Sequence, residues 1–161
     1  MQAYPKTLAR SFEIENNIDN KKGQIILDRY HSELDVVFDN CRGAMLIASR
    51  PFEINETIVS ALTCRVPHQV REKVRSFDFY KYFFVKAEDF RNSVNCCDAF
   101  IAFGPMSFCN HSETPNAEVV WETINDRTVL HLTARENVRA RTEITMSYAN
   151  LPEYIGSDNW K

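Results

Sequence analysis

The stretch FCNHSETPN, residues 108 to 116, sets Asn110, His111 and Ser112 side by side and then adds Pro115 and Asn116. An amide donates and accepts, and an imidazole or hydroxyl can do either, so such a run could close a turn, bind a metal or wall a polar pocket. Asn110-His111-Ser112 and Asn55-Glu56-Thr57 also match the glycosylation sequon. A metal site would draw on Cys96, Cys97, Cys109 and His111. Two adjacent cysteines chelate one tetrahedral ion poorly, and no Cys-x2-Cys pair is present, so no metal is expected. Cys109 as a nucleophile would need a base beside it, which no spacing supplies, and a thiol in an apolar strand is more often inert filler. Tyr148 closes the run EITMSY, residues 143 to 148. By position alone it reads as a strand tyrosine packed for area.

The elements that must position these groups are mostly short strands. LDVVFD (34–39) and AMLIAS (44–49) suit two strands joined through Asn40 and Gly43. ETIVSALTCRV (56–66) is a third, and the aromatic run FDFYKYFFV (77–85) a fourth. CDAFIAFGPMSF (97–108) is apolar enough for core, as helix or strand, until Gly104-Pro105 interrupts it. AEVVWETI (117–124) and TVLHLTA (128–134) flank the polar turn NDR and predict a hairpin, and EITMSYA (143–149) predicts another strand. Residues 1 to 33 are polar and mixed, which suits an arm or short helix.

At 161 residues the chain suits one domain, and 44% hydrophobic with 25% charged residues is ordinary for a globular protein. The net charge of -3 gives no basic footprint for direct nucleic-acid binding and better suits a cationic partner. No apolar run approaches the roughly 20 residues of a membrane span. The first residues lack the apolar segment of a signal peptide, so an intracellular, cytoplasmic or nuclear, protein is expected. Five scattered cysteines then read as free thiols, and the sequons as chance matches.

Taken together, Gly104, Phe108, Asn110-His111-Ser112, Pro115-Asn116 and, about thirty residues on, Glu143-Ile144-Thr145 with Tyr148 resemble the two C-terminal motifs of SET-domain lysine methyltransferases. LTARENVRARTEITMSY resembles the segment leading to the family's tyrosine, with Arg141 in a slot that is usually glycine. CRGAMLIASRPF resembles the family's glycine-x-glycine strand, with Met45 at the second glycine. The resemblance covers roughly residues 34 to 160. It implies a mainly β fold of several short curved sheets with a knot-like C-terminal threading, and a division into an arm (1–33) and a SET domain with C-terminal flank (34–161).

The same resemblance implies a chemistry. The implied cofactor is S-adenosylmethionine, and a neutral lysine amine of a protein attacks its methyl carbon, with the sulfonium sulfur leaving as a thioether. The protein mainly positions and desolvates, and no strong general base is required. Tyr148 matches the catalytic tyrosine. Asn110 and His111 match the cofactor-binding pair, and Gly43, Ala44 and Met45 stand where the glycine-x-glycine strand meets the cofactor. Trp160 is the aromatic expected to stack on the adenine. Tyr80, Tyr82 and Tyr154 are the channel candidates, since aromatics suit a methylammonium. The expected partner is a protein with a basic, lysine-containing segment, and a homodimer would suit so small a domain. No cysteine cluster follows the domain to bind zinc. Met45 and Arg141 point to a rival reading, a SET-like fold that has lost protein methylation and serves as a binding module or acts on a small molecule.

Overall fold

Apolar alternation in LDVVFD and GAMLIA produces an antiparallel pair, β2 (Leu34–Asp39) and β3 (Gly43–Ala48), in a register running from Leu34 opposite Ala48 to Asp39 opposite Gly43. These strands belong to a computed structural model that describes residues 25–30, 33–40, 43–92 and 96–153. A further strand, β1 (Ile25–Tyr30), pairs with the other edge of β2. That segment was expected within an arm or short helix. Its apolar start, Ile25-Ile26, meets an open strand edge instead.

A five-stranded sheet forms the second layer, in the order β5-β6-β4-β9-β8. Its members are β4 (Thr57–Val66), β5 (Phe83–Phe84), β6 (Ala99–Ala102), β8 (Ala117–Ile124) and β9 (Arg127–Ala134). The β8–β9 hairpin turns through Asn125 and Asp126, both at positive φ (48° and 62°), as a two-residue turn matched to strand twist demands. His131 ties three strands, with Ser60 Oγ 2.7 Å from its Nδ1 and Glu122 Oε2 2.8 Å from its Nε2.

The run CDAFIAFGPMSF divides at Gly104, which takes φ 109°: β6 precedes it and a 3₁₀ turn over Pro105–Phe108 follows. FDFYKYFFV departs from expectation. Asp78–Tyr82 is a 3₁₀ turn, and only Phe83 and Phe84 join the sheet, as β5. Spacing is the reason: Tyr80 and Phe83, three apart, fall on one side of a tight turn with ring centroids 5.1 Å apart. Helices α1 (His68–Lys73) and α2 (Ala87–Asn92) complete this insert between β4 and β6. No helix among the described residues is long and apolar enough to cross a membrane.

The main core fills the space between the sheets with Leu34, Leu46, Phe52, Met106, Leu130 and Ile144, among others. A second cluster lies under the insert and gathers Tyr80, Phe83, Val85, Phe90, Cys97 and Ala99.

The C-terminal segment completes the fold. Of the expected strand 143–149, only Thr145–Met146 (β10) forms a ladder, parallel to β7 (Asn110–His111). Just before it, Ile144 N–H donates to Leu46 O at 2.8 Å and Ala48 N–H to Thr142 O at 3.0 Å, so the segment leans on β3 as well. It is therefore enclosed between strands from the front and the middle of the chain, a knot-like threading that most folds avoid.

Two positions on this path have left-handed backbone. Arg141 takes φ 65° while its N–H donates to Ala48 O, and Gly43 takes φ 74° with no heavy atom within 4 Å of where a Cβ would stand. Left-handed φ costs an L-residue roughly 1–2 kcal/mol, part of which glycine's freedom in the unfolded chain offsets. Arg141→Gly is therefore expected to stabilise the fold by about 0.5–1 kcal/mol, and Gly43→Ala to destabilise it by about 1 kcal/mol through backbone strain alone. Urea denaturation midpoints measure both, and a less stable Arg141→Gly protein would refute the account.

Candidate active site

The polar cluster at residues 110–116 serves first to hold the C-terminal segment. Asn116 is buried at 8% exposure, and its amide works in both directions. Nδ2 donates to Glu143 O at 2.8 Å, and Oδ1 accepts from Thr145 N–H at 2.9 Å. One side chain thus supplies the two backbone bonds that a neighbouring strand would otherwise make. Asn110 Nδ2 donates to Ala44 O at 3.2 Å and to Glu143 Oε1 at 3.0 Å, joining β3, β7 and the segment at one point.

These contacts deliver Tyr148. Its N–H donates to His111 Nδ1 at 3.1 Å, and its hydroxyl donates to Cys109 O at 2.9 Å. With Nδ1 accepting, the neutral His111 ring carries its proton on Nε2, which faces Glu113 Oε1 at 3.4 Å. Cys109 is fully buried. Burial, reinforced by the Glu143 carboxylate, pushes its thiol pKa up, and Sγ donates to Ile144 O at 3.3 Å. A neutral, hydrogen-bonded thiol is a packing group rather than a nucleophile.

Tyr148 stands in the wall of a cavity of about 320 Å³. One side is built by the insert, Lys81 to Val85 with Ala87, and the other by Met146 to Asn150. Cys109 and Trp121 also line it, and Glu118 and Arg135 add opposite charges. Tyr82 is half exposed and meets Phe108 edge-on at 6.5 Å, while Trp121 meets Phe100 at 5.2 Å. Asn110, His111 and Gly43 lie outside this lining. The hydrogen bonds from Tyr148 to His111 and Cys109 link the cavity wall to the Asn110–His111 strand.

The SET-domain family model matches residues 43–149, well over half of the 161. The chain belongs to the SET-domain family. A SET-like fold is also what the structural comparison returns. A candidate histone methyltransferase of Plasmodium falciparum is similar at a TM-score of 0.56 and 19% identity, over 72% of this chain and 96% of that one. At that identity the likeness speaks for the fold alone. No curated protein sequence matches the chain.

Within the SET domain, Asn110, His111 and Tyr148 lie together, through the β7–β10 ladder and the bond from Tyr148 N–H to His111 Nδ1. Gly43 and Ala44 lie beside them through the Asn110–Ala44 bond. Met45 stands on the same face of β3 as Gly43 and is buried at 1% exposure, so its thioether fills space that a glycine would leave. Arg141 keeps the left-handed backbone of the usual glycine and leaves its side chain exposed. Tyr82 lines the cavity, but Tyr80 does not. Tyr80 is buried at 5% in the second cluster, against Arg71, because the 3₁₀ turn sends it inward. Tyr154 and Trp160 lie outside the described residues. Among the described residues no group of three His, Cys, Asp or Glu side chains gathers as a metal site would.

Sequence reasoning passed over Asn116 and Glu143 as site-building groups, although both stand in the quoted motifs. Their work is to bond backbone, and no residue type announces which backbone it will meet. Removing the Asn116 amide takes away the side-chain donor to the Glu143 carbonyl and the side-chain acceptor of the Thr145 N–H, from a side chain that is itself buried. Asn116→Ala is therefore expected to cost about 2–4 kcal/mol, measured by chemical denaturation, against about 0–1 for the exposed neighbour Glu113→Ala.

Proposed function

We propose that this SET domain methylates a lysine side chain of a protein, with S-adenosylmethionine as the donor. The observation that carries the reading is the bond from the Tyr148 hydroxyl to the Cys109 carbonyl at the cavity wall, one residue before Asn110. When bound, the cofactor supplies a methyl group on a sulfonium, which leaves the protein the tasks of alignment and desolvation.

The chain's residues suit that group. Asn110 commits its Nδ2 to Ala44 and Glu143, which leaves Oδ1 as an acceptor for a cationic amine such as the methionyl end carries. Gly43 presents bare backbone to an open face. On the cavity side, Tyr148 Oη and Cys109 O form an oxygen pair able to orient an amine and to meet polarised methyl hydrogens through CH···O contacts. The walls of Tyr82, Phe84 and Trp121 favour a cation over solvent at the entrance and withhold water further in, which lowers the cost of the neutral amine. Met45 and Arg141, the residues behind the rival reading, are absent from the cavity lining.

Three outcomes are expected. Tyr148→Phe lowers methyl transfer to a lysine peptide by about 10²-fold while calorimetric affinity for S-adenosylmethionine stays within about twofold. Asn110→Ala weakens that affinity by about tenfold, one lost charge-assisted hydrogen bond. Transfer rises with pH between about 7 and 9, because a lysine with an ordinary pKa near 10.4 gains its neutral form in that direction. Full activity of the Tyr148→Phe protein would overturn the reading.

A further inference from the structure

The chemistry assigned to Tyr148 depends on alignment, yet the five residues beyond it contribute no strand. Leu151 N–H reaches Tyr148 O at 3.4 Å and Glu153 N–H reaches Asn150 O at 2.9 Å, so residues 148–153 form two consecutive tight turns. At their end, Glu153 is drawn under the insert. Arg71 of α1 is 0% exposed, and its Nη2 donates to both carboxylate oxygens of Glu153, whose side chain is 3% exposed. Arg71 Nη1 donates to Cys97 O at 3.3 Å and contacts Cys97 Sγ at 3.0 Å. Asn150, itself in the cavity wall, donates to Glu153 Oε2 at 3.1 Å. Tyr80 lies over the guanidinium at 5.7 Å, two residues before the opposite wall reaches Tyr82.

A buried ion pair is a poor source of stability, because desolvating two charges offsets most of their attraction, and apolar replacement is often neutral or better. What the pair does supply is a single geometry. Here that geometry connects the two walls of one cavity, the insert on one side and the Tyr148 segment on the other. We infer that the Arg71–Glu153 pair is a positioning clamp, fixing the spacing of the cavity walls and holding the Tyr148 hydroxyl in register with the Cys109 carbonyl. Arg71 and Glu153 touch no reacting atom and act through Tyr148 and Asn150. The inference rests on the proposed role of Tyr148 in methyl transfer.

The test separates clamp from core. Arg71→Met or Glu153→Leu alone strands a buried charge and lowers the melting temperature. The double variant Arg71→Met/Glu153→Leu removes both charges and is expected to melt at or above the wild-type temperature. With the fold restored, the clamp predicts two residual defects. Amide hydrogen exchange at residues 147–150, read without cofactor or substrate, speeds by about tenfold or more. In methyl transfer kcat falls at least tenfold while the Kd for S-adenosylmethionine is unchanged. A double variant with wild-type exchange, or with wild-type kcat, overturns the clamp. Wild-type protein that transfers no methyl group overturns the proposed function alone, since the exchange measurement still decides the clamp.

Discussion

The site depends on how one short segment, residues 142 to 146, satisfies its backbone. A two-residue parallel ladder has little stability of its own, and parallel pairing is the weaker kind. The segment persists because β3 takes the bonds of Thr142 and Ile144 on one flank, β7 pairs on the other, and the Asn116 amide supplies both partners where no strand reaches. Buried N–H and C=O groups are costly to leave unpaired, so the three supports act as one cooperative unit. Tyr148, two residues past the ladder, inherits its position from that unit. Asn110 belongs to it too, since its bonds to Ala44 and Glu143 link β3 to the segment. Asn110, proposed above as a cofactor contact, is thus also one of the residues that close the fold.

Much of this architecture was legible in the sequence, and the reasons differ by region. The β8–β9 hairpin was legible because its turn chemistry, Asn125-Asp126 between alternating strands, is local. β2 and β3 were legible through alternation. The aromatic run at 77–85 was misread as one strand because β propensity and three-residue ring spacing compete there, and packing against the second cluster decided for the turn. β1 was passed over because its polar surroundings gave no contrast, and what orders it is a partner edge rather than its own pattern. Asn110, His111 and Tyr148 were legible only as two spaced motifs, since no single one of them differs from an ordinary loop or strand residue. Tyr80 was misplaced for a related reason. Its neighbours in sequence are equally aromatic, and only the backbone path shows that Tyr82 lines the cavity while Tyr80 turns inward to Arg71.

The departures from the expected glycines carry a similar lesson. A glycine can be required for backbone angle, for close approach or for both, and the sequence does not distinguish these. At Arg141 only the angle survives, held by the N–H bond to Ala48, and the exposed side chain has free room. At Met45 the backbone is ordinary strand, and the side chain fills buried volume. Neither substitution reaches the cavity that Tyr148 lines. A motif can therefore lose its glycines while the feature they served elsewhere, the bond from Asn110 to the Ala44 carbonyl, stays in place.

On the function proposed above the site works by placement, and that moves part of its burden to residues far from the reacting atoms. The bonds from Tyr148 to Cys109 and His111 fix the position of its ring and hydroxyl. Errors of about 1 Å then matter more than the loss of any one charge. In a domain this small, the cavity walls come from an insert and a C-terminal turn that share no ladder, so their spacing needs a fixed connection. Apolar contact between Ala149 and the second cluster is not directional and tolerates sliding. The Arg71 guanidinium does not, because its Nη2 holds both oxygens of Glu153 while its Nη1 holds the Cys97 carbonyl, and a slide of either partner breaks these directional bonds. Burying Arg71 and Glu153 is intelligible on those terms, as directionality where a hydrophobic contact would have left slack.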